Sequence, residues 1–114
     1  MTELYETTAE SFYEDMEGCE FVLVDFYKDP CPPCSALYPH LVALHNDPEF
    51  NCDIMKVNYD AEENDNLVMD LRIKAAPTLI LFKDGKKYRS LYGKGATADT
   101  VKEWFNEQTR SSTS

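Results

Sequence analysis

The run Phe21-Val22-Leu23-Val24-Asp25-Phe26-Tyr27 is apolar at nearly every position and does not alternate, which predicts a strand covered on both faces. Cys52 to Tyr59 reads as a second buried strand, and Thr78-Leu79-Ile80-Leu81-Phe82 as a third. Between them the period changes. Leu37, Leu41, Val42, Leu44 and His45 recur at helical spacing and stop near Asn46-Asp47-Pro48, with Pro39 inside and expected to kink the helix. Glu62-Glu63-Asn64-Asp65 opens another helix through Leu67, Val68 and Leu71. Asp84-Gly85 is a hairpin turn into Lys87 to Tyr92. Thr97 is placed to cap a closing helix whose inner face carries Val101, Trp104 and Phe105. Ahead of the first strand, Thr7-Thr8-Ala9-Glu10 reads as a capping box for a short helix through Phe12, Tyr13 and Met16, closed by Gly18, and residues 3–6 as a short leading strand.

The order strand, helix, strand, helix, hairpin, helix predicts an α/β domain. Two βα units give parallel strands and the hairpin gives antiparallel ones, so the central sheet of four to five strands is mixed, with helices on both faces. No repeat or linker divides the chain. One domain is expected over residues 1–108, followed by a flexible polar tail over 109–114.

Charge and composition narrow the function. The 11 Lys and Arg face 21 Asp and Glu, a net charge of −10, which argues against a phosphate-neutralising nucleic-acid surface and favours basic or neutral partners. No apolar run approaches the ~18 residues of a membrane span. The stretch Met1 to Asp15 is acidic and amphipathic where a secretory leader is basic and then apolar, so a cytoplasmic location is expected. No oligomer signature appears, and a monomer is expected.

Four cysteines at 19, 31, 34 and 52 are too few and too unevenly spaced for a secreted disulfide scaffold. The close pair Cys31-Pro32-Pro33-Cys34 points to redox chemistry or to a metal. Zinc requires four ligands, and His40 and His45 do not stand at finger spacing from Cys34, so redox chemistry is the stronger reading. A strand ending at Tyr27 and a helix starting near Cys34 put Cys31 at a helix N-terminus, where unpaired N–H groups and the macrodipole favour a thiolate. Cys34, further into the helix and more buried, is then the resolving thiol.

These residues, with others in fixed order, resemble the thioredoxin family over about residues 3–108. The resemblance rests on Val24-Asp25-Phe26, the C-x-P-C pair, Pro39, Lys56-Val57-Asn58-Tyr59-Asp60, Ala76-Pro77-Thr78, Phe82-Lys83-Asp84-Gly85 and Gly93. It implies a thioredoxin fold with a redox-active Cys31–Cys34 disulfide and no bound cofactor. It implies that Pro77 is cis and packs beside the cysteines, and that Asp25 is a buried carboxylate beneath them. It also implies that Lys56 lies near Asp25 and that Gly93 lies on the substrate-binding edge. Burial would raise the Asp25 pKa and suit it to accept the Cys34 proton through water, with Lys56 limiting the rise. A cis proline before an edge strand would leave the Ala76 backbone free to pair with a substrate segment, within an apolar rim of Pro30, Pro32, Pro77 and Gly93.

The sequence departs from the family pattern at three neighbouring positions. Pro30 stands where the family usually has tryptophan, Pro32 where it has glycine, and Ser35 where a basic residue is frequent. The expected activity is reduction of protein disulfides, with electrons from a thioredoxin reductase that carries the flavin and uses NADPH. The alternatives are a disulfide oxidase or isomerase, or a thioredoxin-fold subunit that only binds. Cys19 and Cys52 fall near the starts of two neighbouring strands and are expected to be free thiols.

Overall fold

The structure is a computed structural model that describes residues 3–112. Its strands are β1 (Tyr5–Glu6), β2 (Phe21–Tyr27), β3 (Asp53–Asn58), β4 (Thr78–Lys83) and β5 (Lys86–Tyr92). Its α-helices are α1 (Pro32–His45), α2 (Asp65–Asp70) and α3 (Ala98–Ser112). They form one five-stranded sheet in the order β1-β3-β2-β4-β5. The β1–β3 and β2–β3 pairs are parallel, and β2–β4 and β4–β5 are antiparallel.

Alternating side chains of the buried strands divide two cores. Leu23, Ile54, Leu79 and Leu81 join Leu37 and Leu41 of α1 and Val101 and Phe105 of α3 on one face. Val22, Val24, Phe26, Ile80 and Phe82 join Phe12, Met16 and Leu67 of α2 on the other. Covering on both faces explains why β2 and β4 read as unbroken apolar runs. Asp25 shares the face of Leu23, so a carboxylate stands in line with an otherwise apolar stripe directly under α1.

Four expectations are corrected. The capping box does not open an α-helix: residues 9–13 are turns, followed by a 3₁₀ turn over Glu14–Met16. There the Thr7 hydroxyl donates to the Asp15 carboxylate, and Glu10 takes no part. Helix α1 begins at Pro32, two residues before the expected start, because proline with its fixed φ suits the first helical positions. It continues through Pro39 as one helix. Helix α3 continues through the stretch expected as tail to Ser112, with the Thr109 hydroxyl donating to the Phe105 carbonyl at 3.0 Å. Thr113 and Ser114 lie outside the described residues. The strand after Pro77 is interior, between β2 and β5, and the edges of the sheet are β1 and β5. At the start of α3, the Thr97 hydroxyl accepts from the Thr100 N–H at 3.3 Å, the expected cap.

Candidate active site

Chain direction places the site. Strand β2 runs up to Tyr27, a short loop turns at Asp29-Pro30, and Cys31 caps α1 with its backbone extended. Cys31 and Cys34 form a disulfide, with their Cα atoms 5.2 Å apart. Pro32 and Pro33 occupy the first two helical positions and carry no N–H. The first donor left is the Cys34 N–H, which reaches the Cys31 sulfur at 3.3 Å, while the Ser35 N–H goes to the Cys31 carbonyl at 2.9 Å. The anion-stabilising end of α1 is therefore reduced to a single direct donor at the sulfur. Cys31 is the more accessible of the pair, at 9% exposure against 4% for Cys34.

Behind the disulfide lies a cavity of about 310 Å³ lined by Asp25, Cys34, Tyr38 and Lys56, with Glu3, Lys28 and Asp29 also at its walls. Asp25 is 1% exposed, and its Oδ1 has no hydrogen-bond partner among the described residues. Desolvation pushes its pKa up to about 7, and the positive charge of Lys56 acts against that rise. The two side chains are neighbours by strand register, since Asp25 on β2 pairs with Lys56 on β3.

Lys56 is itself held. Its Nζ lies 4.9 Å from the Tyr38 ring centroid and 5.6 Å from that of Tyr27, and 3.9 Å from Glu6 Oε1. The Tyr27 hydroxyl donates to Glu6 Oε2 at 2.8 Å, and burial together with that carboxylate pushes the Tyr27 pKa up. Sequence reasoning missed Glu6, Tyr27 and Tyr38. Signals for them existed: Tyr38 is one helical turn past Cys34, and Glu6 takes the register position beside Lys56 once β1 is paired with β3.

The other flank is built around Pro77. The Ala76–Pro77 peptide is cis, and so is Asp29–Pro30, which the sequence did not signal. Gly93 donates its N–H to the Pro77 carbonyl at 2.8 Å. A Cβ at Gly93 would stand 2.9 Å from Leu37 Cδ2 and 3.3 Å from Pro77 Cγ, so a side chain there would force Leu37 to shift where the end of β5 closes against Pro77 and α1. Pro77 and Gly93 are buried, Ala76 is half-buried, and Pro30 and Pro32 are exposed beside Cys31. The structure thus joins Asp25, Lys56 and Cys34 around one cavity, and Pro77, Gly93 and Leu37 in one contact. Among the described residues no three His, Cys, Asp or Glu side chains converge as a metal site.

Cys19 and Cys52 sit at the opposite end of the sheet and are free. The Cys19 thiol donates to Asp53 Oδ2 at 3.1 Å, which raises its pKa. Burial pushes the Cys52 thiol up to about 12.

A disulfide that caps a helix at the end of β2, above a desolvated carboxylate, in a sheet whose β4 follows a cis proline, defines a thioredoxin-type domain. Residues 3–107 match the Thioredoxin family, and the chain belongs to it. Among curated proteins, it is 36% identical over 87 residues to Thioredoxin-2 of Pyricularia oryzae, covering 76% of this chain and 49% of that protein. It is 31% identical over 97 residues to thioredoxin of Mycolicibacterium smegmatis, covering 84% of this chain and 87% of the other. The chain spans about half the length of some of these relatives, as in the Pyricularia oryzae protein, and most of others. Among solved structures, Chlamydomonas reinhardtii thioredoxin f2 superposes with a TM-score of 0.79 at 33% identity, over 91% of this chain and 94% of that one.

Proposed function

We propose that this protein is a dithiol–disulfide oxidoreductase that reduces protein disulfides. The observation that carries this reading is the Cys31–Cys34 disulfide at the start of α1, with Cys34 and the desolvated Asp25 lining one cavity. In the reduced form, the Cys31 thiolate attacks one sulfur of the substrate disulfide. A Cys31–substrate mixed disulfide forms, and the displaced substrate thiolate takes up a proton. Cys34 then loses its proton towards Asp25, through water in the cavity, and attacks the Cys31 sulfur. The Cys31–Cys34 bond forms, the second substrate thiolate leaves, and two electrons have passed to the substrate. Lys56 keeps Asp25 from becoming too weak an acid to ionise near neutral pH. Pro30 and Pro32, exposed beside Cys31, and the half-buried Ala76 form the surface that receives the substrate segment, with the buried Pro77 and Gly93 supporting it.

The capping geometry favours the reducing direction. An oxidant of this type is strong because its reduced thiolate is stabilised. Here two prolines remove two N–H groups from the helix end that would supply that stabilisation. We assign recharging to a thioredoxin reductase that carries flavin and draws on NADPH, with this chain binding no cofactor and acting as a monomer in the cytoplasm.

Insulin reduction tests the reading. The wild-type protein should precipitate insulin B chain in the presence of a slow chemical reductant, and Cys31→Ser should not. Cys34→Ser should accumulate as a covalent adduct that runs as a mixed disulfide on a non-reducing gel. Normal turnover by Cys34→Ser would remove the resolving role.

A further inference from the structure

The net charge of −10 hides a segregation that neither the redox site nor the fold requires. Residues 72–94 hold seven of the 11 Lys and Arg and one of the 21 Asp and Glu, a local net charge of +6. Residues 1–71 hold two cations against 17 carboxylates. The basic segment is the β4–β5 hairpin and the loop that leads into it. Lys86, Lys87 and Arg89 are exposed on β5, Lys83 closes β4, and Lys94 is exposed just past Gly93. The Lys87 ammonium reaches the Leu71 carbonyl at 3.1 Å, and Arg72 is the exposed next residue of the chain. The ion pairs Lys56–Glu6 and Lys102–Asp47 lie outside this segment. Among the described residues no ion pair joins its cations to a carboxylate.

β5 is also an edge of the sheet, paired only with β4. One of its ends meets Pro77 through Gly93, and the other is the Asp84-Gly85 turn. Lysines on an edge strand guard against edge-to-edge pairing, and that role accounts for one or two of them. It does not account for Arg72 and Lys94, which lie outside the strand, or for the depletion of cations elsewhere. An extended segment added to this edge would run directly from the proposed substrate surface along a row of positive charge.

We propose that the outer edge of β5, with Lys86, Arg89 and Lys94, is a docking surface for an acidic extended segment of a protein substrate. The assignment of that segment to a substrate rests on the reductase reading above. A short acidic segment is complementary to the strand. A long nucleic-acid polyanion would have to run on past the hairpin across the acidic remainder of the molecule, where repulsion opposes it. Net charge alone makes the opposite forecast, a preference for basic substrates.

The test uses three peptides with the same disulfide loop, carrying a hexaglutamate, hexaglutamine or hexalysine extension, and hydroxyethyl disulfide as a small neutral control. At about 20 mM salt, kcat/KM for the glutamate peptide should exceed that for the lysine peptide by about tenfold or more, mainly through KM. At about 0.5 M salt the advantage should collapse, since the Debye length then falls to a few ångströms. The double variant Lys86→Glu with Lys94→Glu should lose the preference and keep its rate on hydroxyethyl disulfide. Equal rates for the charged peptides, or a preference for lysine, would overturn the proposal. A cysteine-free, fluorescent hexaglutamate peptide should also bind wild type and not the double variant in an anisotropy titration. Tighter binding of a DNA duplex than of this peptide would overturn the choice of an acidic protein segment. If none of the disulfides is reduced, the reductase reading fails, and the anisotropy titration still decides whether the surface binds acidic chain.

Discussion

Two pairs of cysteines stand at opposite ends of β2 and β3, and their chemistry differs because their surroundings do. At the C-terminal ends of the strands, Cys31 caps α1 and is bonded to Cys34. At the other end, Cys19 and Cys52 both turn to Asp53: the Cys19 thiol donates to its carboxylate, and the Cys52 thiol to its backbone carbonyl at 3.4 Å. A thiol that donates to a carboxylate must give up that bond and face a negative charge when it ionises, so its pKa rises. Cys52 adds burial, and stays protonated near neutral pH. Nearness of two sulfurs therefore does not make a redox pair. What matters is whether a donor or an acceptor faces the sulfur.

The largest effect should come from what lies behind the reactive pair. Asp25→Asn removes the proton acceptor for Cys34, and resolution of the mixed disulfide should slow by about a hundredfold in stopped-flow measurements. Stability should change with pH as well. The Asp25 pKa is raised from 3.8 to about 7, so between those values the folded state keeps a proton that the unfolded chain has released. Wild-type stability therefore falls as pH rises through that window. Asp25→Asn should match wild type below about pH 4 and exceed it by roughly 4 kcal/mol above pH 8. Urea denaturation at the two pH values checks this, and a difference that does not change with pH would contradict the raised pKa.

Restoring a donor at the capped sulfur should act next. Pro32→Gly returns an N–H to the first helical position, and should make the Cys31–Cys34 couple more oxidising by about tenfold, or ~30 mV, when equilibrated against glutathione. The stability of the reduced form should change by about 1 kcal/mol or less, since Pro32 is exposed. An unchanged equilibrium would show that the paired prolines do not tune the couple.

The opposite end should respond more weakly. Asp53→Asn removes the negative acceptor facing Cys19 and should speed its alkylation by iodoacetamide by a few-fold at neutral pH, with Cys52 still protected by burial. No acceleration at Cys19 would show that Asp53 does not set its reactivity. The smallest effect is expected from Cys19→Ser and Cys52→Ser, which should leave insulin reduction nearly unchanged. Mass spectrometry of the oxidised wild-type protein should find both as free thiols, and a Cys19–Cys52 bridge would abolish the contrast.

Much of this was legible before the chain was folded. Apolar runs marked β2 and β4 because both faces of the sheet are covered, and the Cys31-Pro32-Pro33-Cys34 spacing marked the reactive pair because that spacing suits one helical turn. Boundaries were less legible where side chains compete for the same backbone. Thr7 carries the signature of a helix start, yet its hydroxyl goes to Asp15 across a set of turns. Pro32 and Pro33 read as loop, yet proline is well suited to begin a helix.

What the sequence determined by itself was therefore local: strand periods, turn residues, the spacing of the cysteines and the sign of the total charge. Tertiary structure decided everything that depends on neighbours distant in the chain. It set Lys56 beside Asp25 through strand register and Glu6 beside Lys56 through a second register, and it brought Gly93 against Pro77 and Leu37. It also placed the strand after Pro77 inside the sheet and left basic β5 at the edge. The physical reason is that a pKa, a close contact or a sheet edge is a property of the space around a group. Residues that fill that space come from parts of the chain that only folding brings together.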